Sequence, residues 1–142
     1  MTIRLVGIDH LVLRTRDLAG LIDFYCSVIN CTVEKRRDDL GLVHLRAGRS
    51  MIDLVDVNGP LGKMGGAPPG AEARNLDHFA LRIETFDADA IRAYLAANGI
   101  TASGVMDNFG AEGNGPSIYV RDPDGNMIEL KGPAREPATA GS

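Results

Sequence analysis

The sequence predicts an α+β protein: two paired βαβββ modules forming a concave, partly open mixed β-sheet, with helices on its outer face. Three observations carry that expectation. Ile8-Asp9-His10-Leu11-Val12-Leu13-Arg14 reappears as Leu76-Asp77-His78-Phe79-Ala80-Leu81-Arg82. Ile52-Asp53-Leu54 reappears, slightly lengthened to a glutamate, as Ile128-Glu129-Leu130, spaced a few residues wider than the first pair. In each half the apolar spacing starts with a period of two, passes to three-and-four, and returns to two. Two copies are too few for a solenoid and suit a pseudo-symmetric pair in which each half completes the other.

The first half reads strand, helix, three strands. Residues 6–14 alternate with the apolar residues on one parity. Asp17 then caps a helix whose Leu18, Leu21, Ile22, Tyr25, Val28 and Ile29 lie at helical spacing, and Asn30 stands where a left-handed C-cap is wanted. Strands are predicted over 31–37, 42–47 and 50–57, with Asp38-Asp39-Leu40-Gly41 turning between the first two. The second half repeats the order: strand 76–84, helix 87–97 ending at Asn98-Gly99, then strands over 100–106, 116–121 and 126–131. Asp122-Pro123-Asp124-Gly125 is a strong turn signal, because proline pre-sets φ and glycine accepts φ > 0. Module 1 is thus expected over about residues 5–57, a Gly/Pro-rich linker or flexible lid over 58–75, and module 2 over about 76–132; residues 133–142 read as a flexible tail.

Composition bounds the function. A chain of 142 residues, 44% hydrophobic and 24% charged, can bury a real core in one domain or two small halves. The net charge of −4, with no Lys/Arg run that suggests a phosphate-backbone groove, argues against nucleic acid. No apolar stretch is long enough to span a bilayer, and the N-terminus runs into a strand pattern without a signal-peptide layout, so the cytoplasm is the expected location and no membrane partner is expected. Cys26 and Cys31 give no disulfide framework.

Successive strand residues point to opposite faces. Leu11 and Leu13 oppose His10, Val12 and Arg14; Phe79 and Leu81 oppose His78, Ala80 and Arg82. Ile52 and Leu54 oppose Asp53; Ile128 and Leu130 oppose Met127, Glu129 and Lys131. If the wholly apolar parity lies under the helices, then His10, Asp53, His78 and Glu129 share the other face. Two imidazoles and two carboxylates form a mixed nitrogen/oxygen set that suits one divalent ion such as Ni, Co, Mn, Fe or Zn, with coordination positions left open for water or substrate. Other polar residues read more plainly. His44, with no repeat partner, is expected at the surface; Asp9 and Asp77 point away from the site; Arg14 and Arg82 are solvated or bind an anionic group at the rim. Ser117 and Tyr119 share a parity that can line a pocket, and the Gly-rich segment 107–116 is either an ordinary loop or one that closes over a substrate.

These motifs, with Asp17-Leu18, Phe24-Tyr25 and the closing run Ser117-Ile118-Tyr119-Val120-Arg121-Asp122-Pro123-Asp124-Gly125-Asn126-Met127-Ile128-Glu129-Leu130, resemble the vicinal oxygen chelate superfamily. That superfamily includes glyoxalase I, fosfomycin-resistance enzymes, extradiol dioxygenases, methylmalonyl-CoA epimerases and bleomycin-resistance proteins. The resemblance covers about residues 5–132. It implies that His10, Asp53, His78 and Glu129 occupy the four ligand positions in order. Asp53 stands where glyoxalases usually carry Glu and epimerases Gln, and is shorter by a methylene. It therefore ligates directly, through water, or by orienting another ligand. The resemblance also implies a homodimer, with modules paired within or between chains, and a small-molecule substrate. The expected activity is that of a glyoxalase-like lyase or isomerase acting on vicinal oxygens, with Glu129 as the proton-moving carboxylate. The alternatives are an Fe(II) extradiol-type dioxygenase and a metal-free drug- or metabolite-binding protein of the resistance type.

Overall fold

Hydrophobic spacing changes twice in each half of the chain, and the computed structural model, which describes residues 1–137, turns those changes into two sheets. One lies in the unit Met1–Asn75 and the other in Leu76–Ser142.

In the first unit, β1 (His10–Thr15) is followed by the helix α1 (Leu18–Asp23), β2 (Thr32–Arg37), β3 (Leu42–Ala47) and β4 (Ser50–Asp56). The sheet order is β1-β4-β3-β2, with β1 parallel to β4 and the remaining pairs antiparallel. Asp17 caps α1 by accepting a 2.9 Å hydrogen bond from the Gly20 N–H. The helix then widens into a π turn over Phe24–Val28, which the regular apolar spacing does not predict. Phe24 and Tyr25, adjacent in sequence, are both buried there, packed edge to face at 5.1 Å. Asn30 ends the segment at φ 69°, the left-handed C-cap expected of it. Leu13, Leu21, Leu45, Ile52 and Leu54 are sealed from solvent, each contributing about 1.5–3 kcal/mol of burial.

The first strand is shorter than the alternation of residues 6–14 suggests. β4 begins only at Ser50, after a turn, and pairs in register with β1 from His10↔Met51 onward. Earlier residues have no strand beside them, and Ile3, Leu5, Val6 and Ile8 are almost fully exposed. The linker also holds local structure, a 3₁₀ turn at Gly62–Gly65.

In the second unit, β5 (His78–Arg82), the helix α2 (Ala88–Ala97), β6 (Met106–Gly110), β7 (Gly113–Arg121) and β8 (Met127–Lys131) give the order β5-β8-β7-β6, with β5 parallel to β8. Asp87 caps α2 through the Ala90 N–H at 3.1 Å. The turn before β8 is held by Asp122, whose buried carboxylate accepts from the Asp124 and Asn126 N–H groups at 2.9 Å each, with Gly125 at φ 83°. Two expectations are corrected here. Residues 100–105 form no strand. The supposed loop 107–116 is the β6–β7 hairpin, with Asn108↔Gly115 and Gly110↔Gly113 in register. Its glycines lie where chain passes closely: a Cβ on Gly115 would meet the Pro133 carbonyl oxygen at 2.6 Å. A short β9 (Glu136–Pro137) pairs with β7, so the predicted tail begins as structure; residues 138–142 lie outside the described residues. No helix among the described residues is long and apolar enough to cross a membrane.

Candidate metal centre

Each unit builds the same small constellation from the same strand pair. Val12 lies opposite Asp53 across the parallel β1–β4 pair, and Ala80 lies opposite Glu129 across β5–β8. The histidine two residues earlier is therefore diagonal to the carboxylate on the same face. His10 Nε2 is 4.0 Å from Asp53 Oδ2, and His78 Nε2 is 3.4 Å from Glu129 Oε2. β4 and β8 are inner strands, so both carboxylates are buried, whereas both imidazoles on the edge strands remain accessible. The structure thus brings the four predicted residues together as two pairs. Among the described residues, no three His, Cys, Asp or Glu side chains gather into one cluster able to hold a metal.

Asp9 and Asp77 were expected to point away, and the structure corrects this. Asp9 Oδ1 lies 2.6 Å from His10 Nδ1, and Asp77 Oδ1 lies 2.6 Å from His78 Nδ1. Adjacent side chains leave opposite faces of a strand, but Asp9 and Asp77 each lie just before the first residue of their strand, outside its regular alternation. Accepting a hydrogen bond from Nδ1 places the remaining ring lone pair on Nε2, the atom facing the carboxylate. The Asp9 hydrogen bond and then the Asp53 charge hold the His10 imidazole above its ordinary pKa.

Glu129 is held through one of its two oxygens. Ser117 Oγ donates to Oε1 at 2.5 Å and Asn108 Nδ2 to the same oxygen at 3.1 Å, leaving Oε2 on the His78 side. Burial pushes the carboxyl up, but those two hydrogen bonds, with the charges of His78 and Lys131, outweigh it and the pKa falls below the usual value. Asn108 also donates to Tyr119 Oη at 2.9 Å. Tyr119 lies edge-on to the His78 ring at 5.7 Å, and burial together with the Glu129 charge raises its phenol pKa. Ser117 and Tyr119 thus share the site face, as their parity predicts. Asn108 and Lys131 were not foreseen. The buried Lys131 ammonium donates to the carbonyls of Asn108 at 2.6 Å and Gly115 at 3.3 Å, fixing the hairpin that carries Asn108. Only the parity of Lys131 with Glu129 signalled it in the sequence.

The arginines are committed elsewhere. Arg14 donates to the linker carbonyls of Gly62, Gly66 and Ala67 at 3.0, 2.7 and 3.1 Å, and Arg16 to that of Pro69 at 3.1 Å. Arg82 pairs with Glu112 and with the Ile83 carbonyl. Neither Arg14 nor Arg82 is a free rim cation. His44, expected at the surface, is half-buried, directly opposite Asp53 on β3, with Nδ1 2.9 Å from Asp53 Oδ1.

Comparison with known proteins identifies the family and the fold. The family model described as the Glyoxalase/Bleomycin resistance protein/Dioxygenase superfamily matches residues 7–130. A protein of Salmonella typhimurium named Virulence protein STM3117 is 30% identical over 124 residues, covering 87% of this chain and 81% of that protein. The crystal structure of STM3117 superimposes with a TM-score of 0.73 at 26% identity, covering 93% of this chain and all of that one. An integron cassette protein from the mobile metagenome of V. cholerae superimposes with a TM-score of 0.71 at 25% identity, covering 93% of this chain and 98% of its own.

Proposed function

From the chain's membership of the glyoxalase/bleomycin resistance protein/dioxygenase superfamily, we propose that it is a divalent-metal-dependent enzyme of the glyoxalase type, a lyase or isomerase acting on a small substrate with vicinal oxygens. One observation supports this above the others. Both units present an accessible histidine Nε2 beside a buried carboxylate, with the Nδ1 of each histidine tied to the preceding aspartate.

The donor set fits a cation. Asp53 Oδ1 is buried yet receives no hydrogen bond, and an orphaned carboxylate oxygen is costly unless a positive charge stands near it. His10 and Asp53 in the first unit, and His78 and Glu129 in the second, are the residues that would hold metal. When bound, the ion supplies Lewis-acid polarisation to neighbouring oxygens of a substrate. Glu129 moves the proton. Its lowered pKa keeps it ionised at neutral pH, and Ser117 and Asn108 fix Oε1 so that Oε2, on the His78 side, is the oxygen that accepts a proton from carbon next to a carbonyl. The Tyr119 hydroxyl, held by Asn108 and beside the Glu129 carboxylate, stays protonated at neutral pH. The chain acts as a homodimer, and its exposed Ile3, Leu5, Val6, Ile8 and Val12 support a partner surface.

Metal analysis of protein purified without added metal, followed by thermal melting with EDTA and with each divalent ion, tests the reading. Bound metal and a melting temperature that rises on reloading are expected. A stripped protein that no ion stabilises would leave the metal-free binding protein as the better account. Oxygen uptake with catechols would favour a dioxygenase.

A further inference from the structure

The carboxylate of Asp53 has an imidazole on each side. His10 approaches from β1, its Nε2 4.0 Å from Oδ2. His44 approaches from β3, where it is the register partner of Asp53, and its Nδ1 lies 2.9 Å from Oδ1. At that distance a hydrogen bond is the ordinary expectation, yet Oδ1 receives none: the ring N–H direction does not run to it. Asp53 is 5% exposed, so water is a poor substitute. A nitrogen and a carboxylate oxygen that lie close, without pointing at each other, have the arrangement of two neighbouring ligands of one cation. Donors each about 2.1 Å from an ion and at right angles to it stand about 3.0 Å apart.

We infer that His44 is a further ligand in the first unit, sharing the cation with Asp53 through Nδ1. The inference rests on the metal reading proposed above. It accounts for an aspartate where a longer side chain would reach further from the sheet: the short carboxylate keeps the ion near β4, within reach of the neighbouring strand. It also gives a use to the only histidine outside the repeat.

The chain contains three histidines, which makes a direct count possible. The stripped protein is loaded with Co(II), and the paramagnetically shifted, solvent-exchangeable imidazole N–H resonances are recorded in water. Three such signals are expected in the unaltered protein. His44→Ala should remove one of them, change the visible d–d absorption, and weaken Co(II) binding at least about ten-fold, with the melting temperature of the metal-free form nearly unchanged. Two signals in the unaltered protein, or a His44→Ala spectrum and affinity matching it, would overturn the role of His44 while leaving the metal centre intact. Failure of the unaltered protein to take up Co(II) would overturn both. If His44→Ala does not fold, the signal count in the unaltered protein decides alone.

Discussion

At the scale of single residues, the carboxylate of Glu129 is governed by its neighbours more than by its depth. Ser117→Ala removes a 2.5 Å hydrogen bond inside a buried pocket. It is expected to raise the Glu129 pKa and to cost about 1–3 kcal/mol, the range for leaving a buried partner short of a donor. Carboxyl carbon chemical shifts followed through an acid titration of the metal-free protein, with urea melts of both forms, check this; an unmoved midpoint would show that Lys131 and His78 set the charge instead. The thiols give a second case. Burial pushes Cys31 up to about 11, and burial with the Asp23 charge raises Cys26. Cys31 should therefore resist a thiol reagent at neutral pH until the protein unfolds, while the partly exposed Cys26 reacts slowly. Counting titratable thiols before and after denaturant tests it.

Among elements, the segment joining the units is the one whose behaviour changes most once its contacts are known. A Gly/Pro-rich stretch suggests a loose connection, yet Arg14 and Arg16 hold four of its carbonyls and Asn75 Nδ2 donates back to the Arg14 carbonyl at 2.9 Å. Arg14→Ala should release it, seen as faster protease cleavage and amide exchange confined to about residues 62–75, with the sheets still protected. Gly62 is a sharper probe of the same packing. A Cβ there would fall 1.9 Å from the Asp56 carbonyl oxygen, a backbone atom that cannot turn aside. Gly62→Ala is expected to dislodge the 3₁₀ turn and lower stability by more than about 1 kcal/mol, measured by denaturant unfolding.

For the molecule as a whole, the titrating groups act in opposite directions. His10 is held above 6.5, so its share of stability is complete below that pH and lost as pH rises through its folded value. Glu129 is held below 4.5, so its share is present above that pH and lost as pH falls through its folded value. For these two groups the metal-free protein is best served between 4.5 and 6.5. A bound cation requires neutral imidazoles, so loading should move the optimum to higher pH. Melting temperature against pH, with and without EDTA, reads both curves; identical curves would argue against ligation by the histidines.

Much of this was legible in the chain itself, because a repeat writes each element twice. The helix cap at Asp17, the left-handed Asn30 and the Asp122–Gly125 turn depend on interactions within a few residues, so local chemistry fixed them. The shared face of each histidine with its carboxylate followed from strand alternation, once the apolar parity is laid under the helices. Tertiary structure decided what depends on a neighbour distant in sequence. The first strand starts at His10 because β4 starts at Ser50; the segment 107–116 became a hairpin because β7 extends back to Gly113 beside it; Arg14 turned to the linker; and His44 came to lie against Asp53 because β3 and β4 pair in that register. Periodicity tells a strand which way its side chains point, but only pairing determines what they meet.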